Sequence, residues 1–317
     1  MTPTFALVGA AGYIAPRHMR AIKDTGGKLL AAYDPNDSVG VIDSLFPAAS
    51  FFTHFELFDE YLAGLRQAGN GVDYIGVCSP NFMHRAHISH ALRCGATAIC
   101  EKPLVLDPAD LDQLEMVEKE TGQQLNTILQ LRLHPSIIAL RQKVQSDTST
   151  QKYDVDLGYF TSRGSWYHSS WKGMPQHSGG IASNIGIHFF DMLNYVFGGL
   201  EEMVVHHRDE NAAAGYLEFS RARVRWILSI DRAHLPSCTP EGQTTYRSIT
   251  MGGEEIEFSG GFTDLHTASY QGVLNGQGFG LAEARPSVEL ASRIRTAPIT
   301  PNKGEAHPDL GHILAQG

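Results

Sequence analysis

Cysteine is scarce: four in 317 residues, Cys78, Cys94, Cys100 and Cys238, with no C-x-x-C spacing. This usage fits reduced thiols and points to a cytoplasmic protein. Basic residues are also short, with 25 Lys plus Arg against 34 Asp plus Glu and a formal charge of -9. No basic tract interleaved with aromatics is present, which argues against a nucleic-acid partner. In this anionic field, any anionic ligand needs a local basic pocket. No apolar run approaches the length that crosses a bilayer, and MTPTFALVGAAG has no charged stretch ahead of its apolar residues. That segment reads as a first strand, and no membrane partner is expected. Charged residues make up 19% and hydrophobic ones 42%, so a disordered or fibrous chain is excluded. The length predicts about two domains.

Short apolar runs alternate with helical patterns over the first 130 residues. FALVGA (5–10), LLAAYD (29–34), VDYIGVCSP (72–80), ATAICEKP (96–103) and QLNTILQLRL (124–133) read as buried strands. Helices are expected over 16–23 and from Asp107-Pro108 to about Thr121, with Gly122 as the stop. Such alternation implies βαβ units and a mainly parallel, doubly wound sheet, an α/β fold. The texture then changes. YDVDLGYFTSRG, MVVHHRDE, AGYLEFS, ARVRWILSID, YRSITMGG and EEIEFSG alternate with period two, and Gly252-Gly253 reads as a hairpin turn. Helices are expected over 182–197, 263–275 and 281–295. The expected domains are 1–129, a parallel-sheet unit, and 130–317, an α+β unit with a mainly antiparallel open sheet. One face of such a sheet needs cover, and pairing of subunits across it would supply it.

Chemistry-bearing residues cluster at the carboxyl ends of the early strands. Gly9-Ala10-Ala11-Gly12-Tyr13-Ile14 joins a strand to a helix, where glycines let backbone approach a pyrophosphate seated on the helix N-terminus. A tight turn would use the same glycines, and the full G-x-G-x-x-G is absent. Asp34, at the end of the second strand, favours the dinucleotide reading: its carboxylate would accept from both ribose hydroxyls and repel a 2′-phosphate, so NAD is expected over NADP. Ser79-Pro80-Asn81 and Glu101-Lys102-Pro103 end the next strands, and Pro103 restrains the chain beside Lys102. Further on, Asn184, His188 and Asp191 are spaced to share one helix face, which could orient a substrate and move a proton. A helix cap at Ser183 or Asn184 plus a core histidine explains the same residues. Arg163, Lys172, Trp166, Tyr167 and Trp171 gather cations and aromatics in one segment, against the bland alternative of a solvated loop. His84, His87 and His90 recur every third residue, but no carboxylate or cysteine is seen to complete a set, so no metal is expected. His206 and His207 point to opposite faces of a strand. Ser79 and Ser183 lack the setting of a hydrolase nucleophile.

Taken together, VGAAGYIAPRHMRAI with Asp34, ICEKPLV, and Gly179-Gly180 before the histidine-bearing NIGIHFFDML resemble the glucose-fructose oxidoreductase / inositol dehydrogenase / MocA family over nearly the whole chain. Those segments, with SVGVIDS, YFTSRGSWYHSSWKG and YRSITMGGEEIEFSGGFTDLH, are most similar to its bacterial UDP-N-acetyl-2-amino-2-deoxy-D-glucuronate (UDP-GlcNAcA) 3-dehydrogenases. The resemblance implies a Rossmann domain holding NAD through Gly9, Gly12, Tyr13, Ile14, Asp34, Ser79, Pro80, Asn81, His84, Glu101, Lys102 and Gln130. It implies that Lys102 lies beside the hydroxyl being oxidised, with His188 as its acid/base partner and Asn184 orienting the sugar. Asn184 stands where many relatives carry Asp, so an Asp-His proton dyad is weakened. Gln130-Leu131-Arg132 stands where relatives carry Asn-x-Arg. The substrate, a UDP-sugar uronate, would meet Lys102, Arg163, Trp166, Tyr167, Lys172, Asn184 and His188. A homotetramer is implied, and some relatives reoxidise a retained cofactor with 2-oxoglutarate. Two rival readings remain, a free-sugar or cyclitol dehydrogenase and an NAD-binding regulator.

Overall fold

The computed structural model describes residues 2–256 and 264–315. The chain divides into two compact units, Met1–Gln130 with Thr263–Val288, and Leu131–Phe262 with Glu289–Gly317.

The first unit begins with β1 (Thr4–Val8), α1 (Ala15–Asp24), β2 (Lys28–Tyr33), α2 (Val41–Leu45), β3 (Ser50–Phe52) and α3 (Phe55–Gln67). It continues with β4 (Tyr74–Val77), α4 (His84–Arg93), β5 (Thr97–Cys100), α5 (Pro108–Thr121) and β6 (Leu125–Thr127). Its six strands run in the order β3-β2-β1-β4-β5-β6, all parallel. The sheet is buried on both faces, so β1, β4 and β5 read as unbroken apolar runs rather than alternating ones. The order reverses between β1 and β4, and a crevice at such a switch point is where open α/β sheets bind ligands. Local signals set the helices: Pro16 opens α1, and the Asp107 carboxylate accepts from the Ala109 N–H at 2.9 Å to cap α5.

Three features depart from the sequence reading. β3 forms a three-residue edge strand outside the expected strands. The expected strand 124–133 is β6 alone; Leu129 N–H turns back to the Thr127 carbonyl, and Gln130–Leu133 winds as a 3-10 turn. The helix Leu265–Leu274, expected in the second domain, belongs to the first unit. The reason is packing: Tyr270 and Val273 join Phe5, Leu7, Met19 and Ile22 in the core of the first unit.

The second unit carries α6 (Pro135–Ser146), β7 (Tyr153–Thr161), α7 (Trp166–Ser169), α8 (Pro175–Ser178) and α9 (Ile187–Phe197). Then follow β8 (Leu200–Arg208), β9 (Ala212–Phe219), β10 (Ala222–Ser229), β11 (Thr245–Met251) and β12 (Glu254–Glu255). The sheet order is β12-β11-β7-β10-β9-β8. Neighbours are antiparallel except the central β7–β10 pair, which is parallel, so the sheet is mixed rather than uniformly antiparallel. Gly252 and Gly253 both hold positive φ, +62° and +84°, in the two-residue turn between β11 and β12, as a type I′ hairpin requires. The later part of EEIEFSG lies outside the described residues. Trp226 of β10, fully buried, meets Phe190 of α9 edge-on at 5.3 Å, which seats α9 on this sheet.

Candidate active site

In the first unit, two turns at the carboxyl ends of the strands touch backbone to backbone. A Cβ on Gly9 would fall 2.5 Å from the Cys78 carbonyl carbon and from Ser79 N, and Gly9 sits at φ +84°. No side chain fits there, which is why the turn after β1 needs glycine. Gly9 and Ala10 both donate to the Tyr33 carbonyl, and Gly12 N–H donates to the Gly9 carbonyl at 3.1 Å. The turn therefore delivers Gly12, Tyr13 and Ile14 to the start of α1, whose first turn has no side-chain cap. Tyr13 is 87% exposed. Asp34, at the end of β2, accepts from Ala11 N–H at 3.0 Å and Asn36 N–H at 2.9 Å. Its carboxylate thus lies on the glycine turn, with lone pairs left for further donors. A cradle closed to side chains, an uncapped helix N-terminus and an adjacent acid fit the pyrophosphate and ribose of a dinucleotide.

Lys102 follows β5, half-buried, and a cis peptide joins it to Pro103. Three buried histidines and one carboxylate fix its surroundings. His84 Nε2 lies 2.8 Å from the Ser79 carbonyl and Nδ1 2.7 Å from that of Pro103. His84, expected beside the cofactor, is instead fully buried as a tie between the Ser79-Pro80-Asn81 turn and the Lys102-Pro103 turn. Glu101, expected to touch the cofactor, is also buried. Its Oε1 faces Nε2 of both His18 and His266 at 2.9 Å, and its Oε2 accepts from Lys102 N–H at 3.3 Å. Burial alone would raise the Glu101 carboxyl, but hydrogen bonds and charge from His18 and His266 hold it well below its usual range. With Nε2–H of His18 donating to Glu101, Nδ1 is left to accept from Tyr270 O–H at 2.8 Å. Burial lowers the His18 pKa against the pull of Glu101, which suits that neutral tautomer. Sequence reasoning missed His18, His266 and Tyr270, because nothing local marks them as partners of a carboxylate up to 165 residues away.

The second unit gathers the basic and aromatic residues. Tyr167 is buried, and its hydroxyl accepts from Asn184 Nδ2 at 2.7 Å. Lys172 Nζ lies 4.4 Å from the Trp171 ring centroid and 5.9 Å from that of Trp166. Burial, then the nearby Arg163 charge, lowers the Lys172 pKa. Trp166 stays half-exposed and packs edge-on against Tyr167 at 5.9 Å. Asn184 sits in a π-helical stretch, Ala182–Gly186, that leads directly into α9, which carries His188. A Cβ on Gly186 would lie 2.7 Å from Leu228 Cδ1 and 2.8 Å from Phe190 Cε2, so a larger residue would have to displace two buried side chains. His188 and Asp191 lie three residues apart on α9, with Asn184 in the π-helical stretch before it. Asp191 is buried in a two-pronged ion pair with Arg132, Nε to Oδ2 at 2.9 Å and Nη2 to Oδ1 at 2.7 Å. It fastens α9 to the segment after β6 and is unavailable as a proton carrier.

A parallel sheet in this strand order, with a glycine turn, an acid after β2 and a lysine after β5, defines an NAD-binding Rossmann oxidoreductase unit. The chain belongs to the glucose-fructose oxidoreductase / inositol dehydrogenase / MocA family: residues 4–128 match its NAD-binding Rossmann domain and residues 151–246 its C-terminal alpha/beta domain. It is 50% identical to the WlbA (WbpB) dehydrogenase of Thermus thermophilus solved with NAD and UDP-GlcNAcA, over 98% of this chain and 100% of that one, at TM-score 0.93. The same Thermus thermophilus dehydrogenase solved with NAD and alpha-ketoglutarate superposes at TM-score 0.92 with 51% identity and the same coverage. Inositol 2-dehydrogenase of Rhizobium meliloti is 26% identical over 62% of this chain, a match spanning 56% of that protein. No helix among the described residues is long and apolar enough to cross a membrane.

Proposed function

We propose that this protein oxidises the C3 hydroxyl of UDP-GlcNAcA to the 3-keto sugar with NAD, on the route to 2,3-diacetamido-2,3-dideoxy uronic acids of lipopolysaccharide O-antigen. The observation that carries the reading is the cluster in the second unit: Tyr167 bonded to Asn184, with Lys172 over two tryptophans beside Arg163. An uncharged sugar gives the partly desolvated Lys172 and the exposed Arg163 beside it no partner, whereas a uronate and a pyrophosphate do. Similarity to a dehydrogenase that holds UDP-GlcNAcA supports the same substrate.

Oxidising a secondary alcohol removes a hydroxyl proton and a carbon-bound hydride, and bound NAD supplies the hydride acceptor. The chain's own residues handle the rest. Lys102 and His188 are the acid/base pair that takes the hydroxyl proton, and Asn184 orients the sugar. His84 and Glu101 act on Lys102 by fixing the backbone on either side of it, which limits its wandering from a productive geometry. Tyr167 holds the Asn184 amide in one orientation. Arg163 and Lys172 neutralise the substrate anions, and the tryptophans offer flat apolar surface. Similarity to a structure holding alpha-ketoglutarate also supports cofactor reoxidation in place, with 2-oxoglutarate reduced to 2-hydroxyglutarate. We assign the protein to a cytoplasmic homotetramer on the family resemblance.

The test is reduced-nicotinamide absorbance with NAD and UDP-GlcNAcA, with and without 2-oxoglutarate, beside UDP-GlcNAc, free sugars and cyclitols. NADH from the uronate alone, or keto-sugar with 2-hydroxyglutarate, is the expected result. Turnover of a free sugar or cyclitol with none of the uronate would overturn the proposal.

A further inference from the structure

The histidine run on α4 has a use outside the dehydrogenase site. The structure supplies a carboxylate and a thiol to His90, though not to His84 or His87. Asp59 comes from the facing helix α3, and Cys94 follows His90 by one helical turn. One ligand atom from each of the three lies within 4.8 Å of the others. His90 Nδ1 is 3.6 Å from Asp59 Oδ1 and 3.9 Å from Cys94 Sγ, and its Nε2 is 3.4 Å from that sulfur.

Those separations can be judged against bond lengths. A tetrahedral ion with metal–sulfur near 2.3 Å and metal–nitrogen or metal–oxygen near 2.0 Å needs ligand edges of about 3.6 Å for N···S and about 3.3 Å for N···O. Each Nδ1 separation is about 0.3 Å longer, within reach of a side-chain rotation. By contrast, in the buried trio Glu101 Oε1 lies 2.9 Å from Nε2 of both His18 and His266, which is a hydrogen bond and shorter than the ligand edge of about 3.3 Å of a tetrahedral ion. The His90 trio borders a cleft of about 550 Å³, open to solvent and lined also by Arg66 and Arg93, so water can take a fourth position.

We propose that Asp59, His90 and Cys94 form a zinc site that ties α3 to the end of α4, with solvent as the fourth ligand. The donor set of thiolate, imidazole and carboxylate is the one zinc favours. Burial lowers the His90 pKa despite Asp59, so the ring is neutral and has a lone pair to give at neutral pH. Burial raises the Cys94 thiol to about 11 while Arg66 pulls it down, so the metal-free thiol is protonated. Binding therefore releases that proton to solvent as the S–Zn bond forms, with no change of oxidation state. The role is structural: none of the three residues belongs to the dehydrogenase machinery above.

The test uses the full chain, treated with chelator and titrated with Co²⁺, then Zn²⁺. One equivalent of Co²⁺ should give a thiolate-to-cobalt charge-transfer band with visible bands of tetrahedral strength, and Zn²⁺ should erase both. Cys94→Ser should lose the charge-transfer band, and Asp59→Asn, an exposed change that leaves the fold intact, should weaken Co²⁺ binding at least about tenfold. Cys238→Ser should change nothing. Zn²⁺ should raise the melting temperature of the wild type but not that of Cys94→Ser. No charge-transfer band at saturating Co²⁺, or a band that survives Cys94→Ser, would overturn the site.

Discussion

The two units build their share of the chemistry in opposite ways. In the first, backbone and buried side chains fix everything: Gly9 packs against the Cys78 and Ser79 backbone, and Glu101 is closed in by His18, His266 and Lys102 N–H. In the second, the working groups include long cations and half-exposed rings, with Trp166 53% exposed beside a Tyr167 hydroxyl that accepts from Asn184. A cofactor with one fixed geometry suits a rigid cradle. A large charged substrate suits side chains that can adjust around it.

That contrast can be broken from either side. The largest expected effect is Lys102→Met, which should cut turnover about a thousandfold while NAD binding, followed by nicotinamide fluorescence, stays intact. Undiminished turnover would remove Lys102 from the proton path. Next comes Glu101→Gln, which keeps the shape but puts an amide N–H against an imidazole donor. A loss of about 2 kcal/mol in unfolding free energy is expected, with a fall in kcat. The pH dependence has a definite sign. Folding lowers the Glu101 pKa below its ordinary 4.5, so its contribution is fully present above that value and lost as pH falls towards the folded value. In Glu101→Gln, chemical denaturation below about pH 4.5 should therefore show a shallower decline than in the wild type.

Effects of about tenfold are expected at the edges of each site. Asp34→Arg should raise the NADP-to-NAD preference by at least that factor, and an unchanged ratio would mean that Asp34 does not meet the ribose. Lys172→Ala should raise KM for UDP-GlcNAcA about tenfold with kcat nearly unchanged, because it removes a binding charge and no reacting group. The smallest change is Tyr167→Phe, which deletes one hydrogen bond to Asn184 and should cost about 1 kcal/mol, a few-fold in KM. A larger loss in Tyr167→Phe than in Lys172→Ala would invert the contrast and make the second unit the more rigid partner.

The same contrast explains what the sequence made legible. The glycine turn, Asp34 and the Asp107 cap of α5 are written in adjacent residues, because backbone geometry constrains them locally. The hairpin at Gly252-Gly253 and the cluster 163–172 were readable for the same reason. What escaped is long-range. Nothing in the sequence near Glu101 names His18 or His266, and nothing near Asp191 names Arg132, 59 residues earlier, as its ion-pair partner. A π-helical stretch over 182–186 shifts the helical phase that regular spacing assumes. The parallel β7–β10 pair likewise depends on chain routing, to which period-two alternation is blind.

The helix Leu265–Leu274 has one more consequence. It contributes His266 to the Glu101 carboxylate and Tyr270 to both His18 and the core around Phe5. The NAD-binding unit is therefore discontinuous in the gene: its last wall is translated after the mixed sheet. A nascent chain that has emerged only through β6 has no second imidazole for Glu101, so the contacts around Glu101 are incomplete until Leu265–Leu274 has been made. Recombination that swaps the first 130 codons alone would import a Rossmann half whose lysine sits on a carboxylate matched to someone else's histidine.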